Sequence, residues 1–465
     1  MLDEGGGQPV VVAFGVGLEA GVGMEPVTAV LVGAGDRGAN SYAPYALANP
    51  HRLRFVGVAE PDDVRRDRFA ELHRIGADAA VRDWRELLSG PGRADAVLVC
   101  TQDRMHFEPA VTALAQGYDV LLEKPMSTDP SECVRLGEIA RVARGRILVC
   151  YVLRYTSFFA AVRRLLDEGR VGRLVSIQHT ENVPLVDQTH AFVRGSWGRE
   201  TDSCPMILAH CCHDMDLLSW FAGAPSRRVA SFGGLAHFRR ENAPPGAPAR
   251  CLDGCPHETT CPHHVARVYL TEDTGWPTSV ISTDPSAAAR VRALETGPYG
   301  RCVYACDNDV VDHQVASFEF ENEVTAAFTM SPFNGRPGRT LKLMGSAGEI
   351  RASMAENEIE VLDFATGRAD VVRPARSHHR YGGGDHGIME RFVDLVRDAG
   401  STKDLTFAAD SVESHLMAFA AEKSRVEGRT VVMADYRREI ADSTSAAGGV
   451  PRLPGLPDVG KGRPG

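Results

Sequence analysis

Apolar and polar positions follow two different patterns in the two halves of the chain. From Val27 onward, short runs of almost continuous apolar residues read as strands: Val27–Val32, Arg54–Glu60, Ala94–Thr101, Asp119–Glu123 and Arg146–Tyr151. Segments with helical spacing separate them: a short one after Tyr42, then Asp62–Arg74, Phe107–Gly117 and Ser131–Arg144. Apolar strands alternating with helices predict a parallel sheet covered on both faces. Beyond residue 151 the pattern changes. Leu174–Glu181, Val315–Phe320, Val324–Thr329, Thr340–Met344 and Ile359–Leu362 read as strands, and Val162–Glu168, Asp385–Arg397 and Phe407–Val426 as helices. The alternation in Ala316-Ser317-Phe318-Glu319-Phe320 suits a sheet with one wet face.

The length of 465 residues suits two domains, placed at 25–150 and 151–440. Residues 1–24, rich in Gly and Val, read as a disordered extension, and the Gly- and Pro-rich residues 441–465 as a disordered tail. Asp3 and Glu4 stand where an export signal would carry cations, and eleven cysteines are an odd number for a disulfide framework. A reducing cytoplasm is therefore expected. The net charge of -10 argues against a nucleic-acid partner. No apolar run is long enough to span a bilayer.

Gly33-Ala34-Gly35-Asp36-Arg37-Gly38 lies between a strand and a helix, the context in which a GxGxxG motif binds a dinucleotide. Gly33 permits the tight turn, Gly35 lets the backbone approach a pyrophosphate, and Gly38 lets helix and strand pack. The helix start, with Asp36 and Arg37, offers free N–H groups to the phosphates. Glu60 ends the second strand a little over twenty residues on, where an acid binds both ribose hydroxyls and repels a 2′-phosphate. That favours NAD, although Arg37 keeps NADP open.

Glu123-Lys124-Pro125 follows a buried strand at the edge of the sheet where ligands bind. Together with the glycine motif, it resembles the glucose–fructose oxidoreductase / inositol dehydrogenase (Gfo/Idh/MocA) family, over about Val27–Glu427. The resemblance implies an α/β Rossmann domain followed by an α+β domain with an open, largely antiparallel sheet, and an active site between them. It implies that Thr101 and His106 belong to a nicotinamide-side loop, that Glu123 and Lys124 meet the cofactor, and that Lys124 hydrogen-bonds the reacting hydroxyl. It also implies a homo-oligomer, a dimer or tetramer.

The run His210-Cys211-Cys212-His213-Asp214-Met215-Asp216 resembles the family segment in which an acid precedes a histidine by four residues. His213 matches that histidine, while Ala209 replaces the acid, and His210 is a candidate for part of its role. A dehydrogenase needs a base for the hydroxyl proton, and histidine serves near neutral pH. His213 is the expected base and Lys124 the donor that stabilises charge on oxygen. Arg154, Tyr155, His179, Glu181, His190, Trp197, His210 and Asp214 are the expected substrate contacts, since a carbohydrate site needs many polar groups and a flat aromatic face.

A Cys-rich insert near 242–306 remains outside that scheme. Cys251, Cys255, Cys261 and Cys302 are candidate ligands of a structural zinc that would staple a loop of low apolar content. The expected function is NAD-dependent oxidation of a secondary hydroxyl of a sugar, cyclitol or related polyol. One alternative is an NAD-dependent glycosidase working by transient oxidation, elimination, water addition and re-reduction. The other is a non-catalytic NAD-binding regulator.

Overall fold

The structure, a computed structural model, describes residues 25–446 apart from 91 and 378. The extension expected over 1–24 and the tail beyond 446 lie outside the described residues. The tail begins later than 441, because helix Met433–Ala446 continues across that point.

Six strands form the first sheet: β1 (Val27–Val32), β2 (Leu53–Ala59), β3 (Ala80–Val81), β4 (Ala96–Val99), β5 (Asp119–Leu122) and β6 (Ile147–Val149). All pairs are parallel, in the order β3-β2-β1-β4-β5-β6. Every residue of β4, β5 and β6 is buried, as continuous apolar runs require when helices cover both faces. The order reverses at the β1–β4 step, and the crevice outside the strand ends there is where such sheets bind ligands.

Nine strands form the second sheet: β7 (Leu174–Asn182), β8 (Ser226–Gly234), β9 (His313–Phe320), β10 (Thr325–Ser331), β11 (Gly338–Gly345), β12 (Gly348–Ser353), β13 (Glu358–Asp363), β14 (Ala369–Val372) and β15 (Val431–Val432). The order is β14-β13-β12-β11-β7-β10-β9-β8-β15. One pair, β10 with β7, is parallel, and the rest are antiparallel. Strand alternation decides which side chains face inward. Along β7 these are Ile177, His179 and Glu181, all buried, while Gln178 between them is exposed.

One apolar cluster runs through both domains, from Val97 and Val99 of the first sheet to Phe318 and Phe328 of the second. Helix Ala408–Glu427 carries much of this continuity, packing on helix Pro130–Val142, helix Cys212–Ala222 and β8. A Cβ on Gly137 would come within 2.5 Å of Val412 Cγ2, so this crossing tolerates no larger residue without a shift. Helix Pro130–Val142 itself starts under a cap, with Asp129 Oδ1 accepting from Ser131 N at 2.7 Å. The two domains are thus packed through a shared core, which fixes the cleft between them.

The chain between β8 and β9 forms short helices and turns, and the zinc site expected there is not assembled. Among the described residues no three His, Cys, Asp or Glu side chains gather as a metal site. Cys251 packs with Val265, Tyr269 and Leu294, whereas Cys302 packs in a separate cluster with Val193, Phe238 and Tyr304. Cys255 and Cys261 are half-buried. Between the clusters runs the buried Arg194, donating from Nε to Arg301 O at 2.7 Å and from Nη2 to His263 O at 2.7 Å. Apolar packing and this guanidinium hold the insert, and its cation lies 3.8 Å from the Cys251 thiol that was to be a ligand.

Candidate active site

The three motif glycines do different work. Gly33 has φ +94°, and a Cβ there would lie 2.6 Å from Cys100 O. A Cβ on Gly38 would lie 2.3 Å from Gly33 O. These two are required by the packing of β1 and the following helical segment Asp36–Tyr42 on the end of β4. A Cβ on Gly35 meets nothing within 4 Å, so here the main chain faces open space. That opening, at the start of a helical segment whose first N–H groups point outward, fits a pyrophosphate. Asp36 stands in its first turn and accepts from Asn40 Nδ2 at 3.1 Å. Glu60 is buried at the end of β2, accepting from Ala34 N (2.8 Å) and Asp62 N (3.1 Å). A carboxylate has about four acceptor positions, so two remain for ribose hydroxyls.

Other expected cofactor contacts turn out to build the cradle. Arg37 donates to Glu123 at 2.6 Å and to both oxygens of Asp385 at 2.8 and 3.1 Å. These bonds occupy the Arg37 guanidinium and do not involve its main-chain N–H. Glu123 also accepts from Tyr42 Oη (2.6 Å) and from Lys124 N (2.9 Å). His106 is buried, with Nδ1 2.6 Å from Pro125 O and Nε2 3.1 Å from Thr101 O. It fastens the loop after β4 to the loop after β5. The Thr101 hydroxyl donates to Met105 O at 3.0 Å and closes its own turn.

Lys124 stands just past β5, before a cis Lys124–Pro125 peptide. Its Nζ donates to Ala209 O at 2.6 Å. The acid expected at position 209 is absent, and what meets the lysine there is the main-chain carbonyl. His210 does not substitute for it, since its Nε2 lies 3.3 Å from Glu181 Oε1. Burial opposes the Lys124 charge, but Cys212, Glu123 and Asp103 together hold its pKa above the ordinary value. His213, on the first turn of helix Cys212–Ala222, is buried with Nδ1 lacking a hydrogen-bond partner among the described residues. Its ring meets Tyr151 edge-on at 5.9 Å. Burial, then the cations Lys124 and Arg339, push its pKa well below the ordinary histidine value. At neutral pH the site therefore presents an ammonium donor and a neutral imidazole with an unused ring nitrogen.

Around this pair lies a buried ionic network. Asp214 accepts from Arg339 Nε at 2.7 Å and Nη2 at 3.1 Å, and its Oδ1 lies 2.7 Å from His179 Nε2. Burial alone would raise the Asp214 carboxyl, but Arg339 and His179 outweigh it and hold it far below the carboxylate range. Arg339 Nε also stands 2.8 Å from Glu181 Oε2. Asp214 and His179 are consequently taken up by each other and the buried Glu181 by Arg339, whereas His210 is partly exposed.

Four further expected substrate contacts point elsewhere. Arg154 forms a two-pronged pair with Asp216, both bonds 2.6 Å. Tyr155 Oη bonds Thr406 Oγ1 at 2.9 Å and accepts from Thr406 N. His190 is buried, stacked on Tyr299 at 4.6 Å and bonded to Tyr269 Oη at 3.0 Å, as part of the insert's footing. Trp197 donates its Nε1–H to Asp103 Oδ2 at 2.7 Å, a bridge between the two domains. In each case a polar group that sequence spacing leaves free finds a partner about 60 to 250 residues away.

The site also contains residues that the sequence did not single out: Asp103, Asp187, Arg339 and Asp385. Asp187 is half-buried beside His210 and Glu181; burial pushes its pKa up to about 6, His210 opposing and Glu181 adding to the rise. An unfolded aspartate ionises near pH 3.9, so between about pH 4 and 6 the native state holds the extra proton. Stability should therefore fall as pH rises through that window. Asp187→Asn is expected to melt at higher temperature than the parent at pH 7.5 and at the same temperature near pH 4. Equal melting shifts at both pH values would contradict the assignment.

Residues 27–151 match the oxidoreductase family, NAD-binding Rossmann fold (GFO_IDH_MocA), and residues 163–431 match its C-terminal alpha/beta domain. The putative oxidoreductase YteT of Bacillus subtilis is 21% identical over 364 residues, 74% of this chain and 79% of its own. An inositol 2-dehydrogenase of Streptomyces avermitilis is 31% identical over 173 residues, covering 37% of this chain and 46% of its own. Among solved structures, scyllo-inositol dehydrogenase from Lactobacillus casei, with NAD(H) and scyllo-inositol, superposes with a TM-score of 0.61 at 15% identity. The superposition covers 88% of this chain and all of the other. An oxidoreductase from Agrobacterium radiobacter gives a TM-score of 0.62 at 14% identity, over 88% of this chain and 99% of that one. Two matched family regions spanning most of its length show that the chain belongs to the Gfo/Idh/MocA oxidoreductase family.

Proposed function

We propose that this protein oxidises a secondary hydroxyl of a sugar, cyclitol or related polyol, using NAD rather than NADP. The observation that carries the reading is the pairing of a charged Lys124, anchored by the Ala209 carbonyl, with a neutral His213 whose buried Nδ1 has no hydrogen-bond partner among the described residues. Bound NAD supplies the hydride acceptor. Lys124 Nζ donates to the substrate oxygen and stabilises the negative charge that develops there. His213 takes the hydroxyl proton, which its neutral state permits. The neighbouring Glu181, His210 and Asp187 lead from this histidine toward the surface and offer the proton a way out. Glu60 supports NAD, since a 2′-phosphate beside a buried carboxylate would be repelled.

A glycosidase reading draws support from Asp187, a carboxyl whose pKa of about 6 suits it to give and take a proton on a leaving group. The two are separated by incubating the purified protein with a panel of cyclitols, sugars and sugar acids, with NAD or NADP, while following absorbance of the reduced cofactor. Net NADH from NAD at well above the rate from NADP is expected. Release of nitrophenol from a nitrophenyl glycoside without net NADH would replace the dehydrogenase by the glycosidase. Tight NAD binding with neither activity would leave a regulator.

A further inference from the structure

The turn before helix Gly384–Val396 holds three successive residues in the left-handed region: Tyr381 (φ 51°), Gly382 (φ 62°) and Gly383 (φ 88°). Glycine adopts this conformation freely, while a tyrosine there is strained. The strain cannot relax, because the backbone is clamped just downstream. A Cβ on Gly384 would lie 2.3 Å from Val152 O and one on Gly387 2.7 Å from Tyr155 O. Asp385, between them, is held by Arg37. A glycine at position 381 would satisfy the same turn at lower cost.

What the tyrosine provides is a placed side chain. Its ring lies 5.1 Å from the Arg37 guanidinium carbon. The same cation sits 4.7 Å from Tyr42, but that ring is buried and its hydroxyl serves Glu123. Tyr381 is 47% exposed, and its hydroxyl makes no hydrogen bond among the described residues. Lys124, two positions beyond the end of β5, is near enough to feel the Tyr381 hydroxyl. A strained, exposed aromatic beside the reacting edge of a cleft marks a functional position rather than a folding one.

We propose that Tyr381 is a substrate-contacting residue, its ring lying against the C–H face of a polyol and its hydroxyl bonding one of that polyol's hydroxyls. The proposal rests on the polyol dehydrogenase reading. The test uses the full chain with Tyr381 replaced by Phe, Gly or Asn, the last two being residues that tolerate left-handed backbone. Polyol KM, NAD KM, kcat and melting temperature are measured on whichever polyol the parent oxidises. Tyr381→Gly and Tyr381→Asn are expected to melt at or above the parent temperature, to raise polyol KM about tenfold, and to leave NAD KM within about twofold. Tyr381→Phe keeps the ring and should fall between them and the parent. An unchanged polyol KM in the Gly and Asn variants overturns the proposal while the dehydrogenase reading stands. Loss of melting temperature together with equal losses in polyol and NAD affinity overturns it in favour of a structural role. A parent that turns over no polyol overturns both readings.

Discussion

Replacing Lys124 by alanine is expected to lower kcat by about 10²–10³-fold while leaving NAD affinity within about twofold of the parent. Among the described residues, the lysine is the only cation that the site aims at the reacting oxygen in this reading. Arg37 is committed to Glu123 and Asp385, and Arg339 to Asp214 and Glu181. The cofactor cradle is built by Gly33, Gly35, Gly38 and Glu60, none of which depends on the lysine side chain. The loss should therefore appear in kcat rather than in NAD binding, measured side by side by steady-state kinetics and calorimetric titration. Turnover within tenfold of the parent would remove Lys124 from the chemistry. Lys124→Arg is not expected to rescue, since a planar fork cannot take the place of a compact ammonium at 2.6 Å from a carbonyl.

Asp214→Ala should cost the fold about 3–5 kcal/mol. Asp214 has no exposed surface and is held simultaneously by Arg339 and His179. Removing it leaves a buried guanidinium with only Glu181 near, and a buried imidazole with one ring nitrogen unpaired. The pair's contribution also has a predictable pH range. With its folded pKa far below the unfolded value near 3.9, Asp214 stabilises the protein fully above that value and progressively less only in more acid solution. Denaturant melts of Asp214→Ala and the parent should thus differ by nearly the same amount at pH 5 and pH 8. A difference below about 1 kcal/mol, or one that vanishes by pH 5, would mean the network relaxes around the gap.

The cofactor half was readable from sequence because its signals are local. Six residues from Gly33 to Gly38 prescribe a turn, an opening and a packing contact, and apolar runs such as Val97-Leu98-Val99 allow little but a buried strand. The place of Lys124, in a tripeptide just past a buried strand, was readable for the same reason. The substrate half was not. The strand Leu174–Glu181 was legible, but not which side chains meet His179 and Glu181 on its buried face. Arg339, which pairs with Asp214 beside His179, lies 125 residues from that aspartate. Arg37 lies 348 residues from Asp385. Ion pairs of such separation leave no periodicity, so a free polar residue and one already engaged look alike in the sequence. The Cys-rich insert shows the same limit: composition marked it, yet its packing puts Cys251 and Cys302 in separate clusters.

The Ala209 carbonyl that holds Lys124 has a consequence for how such a site is inherited. A carboxylate in that place could be lost by a single codon change and would respond to acid. A main-chain oxygen does neither, because it is supplied by the path of the chain rather than by the identity of the residue. Another small residue in place of Ala209 would therefore leave the bond to Lys124 in place.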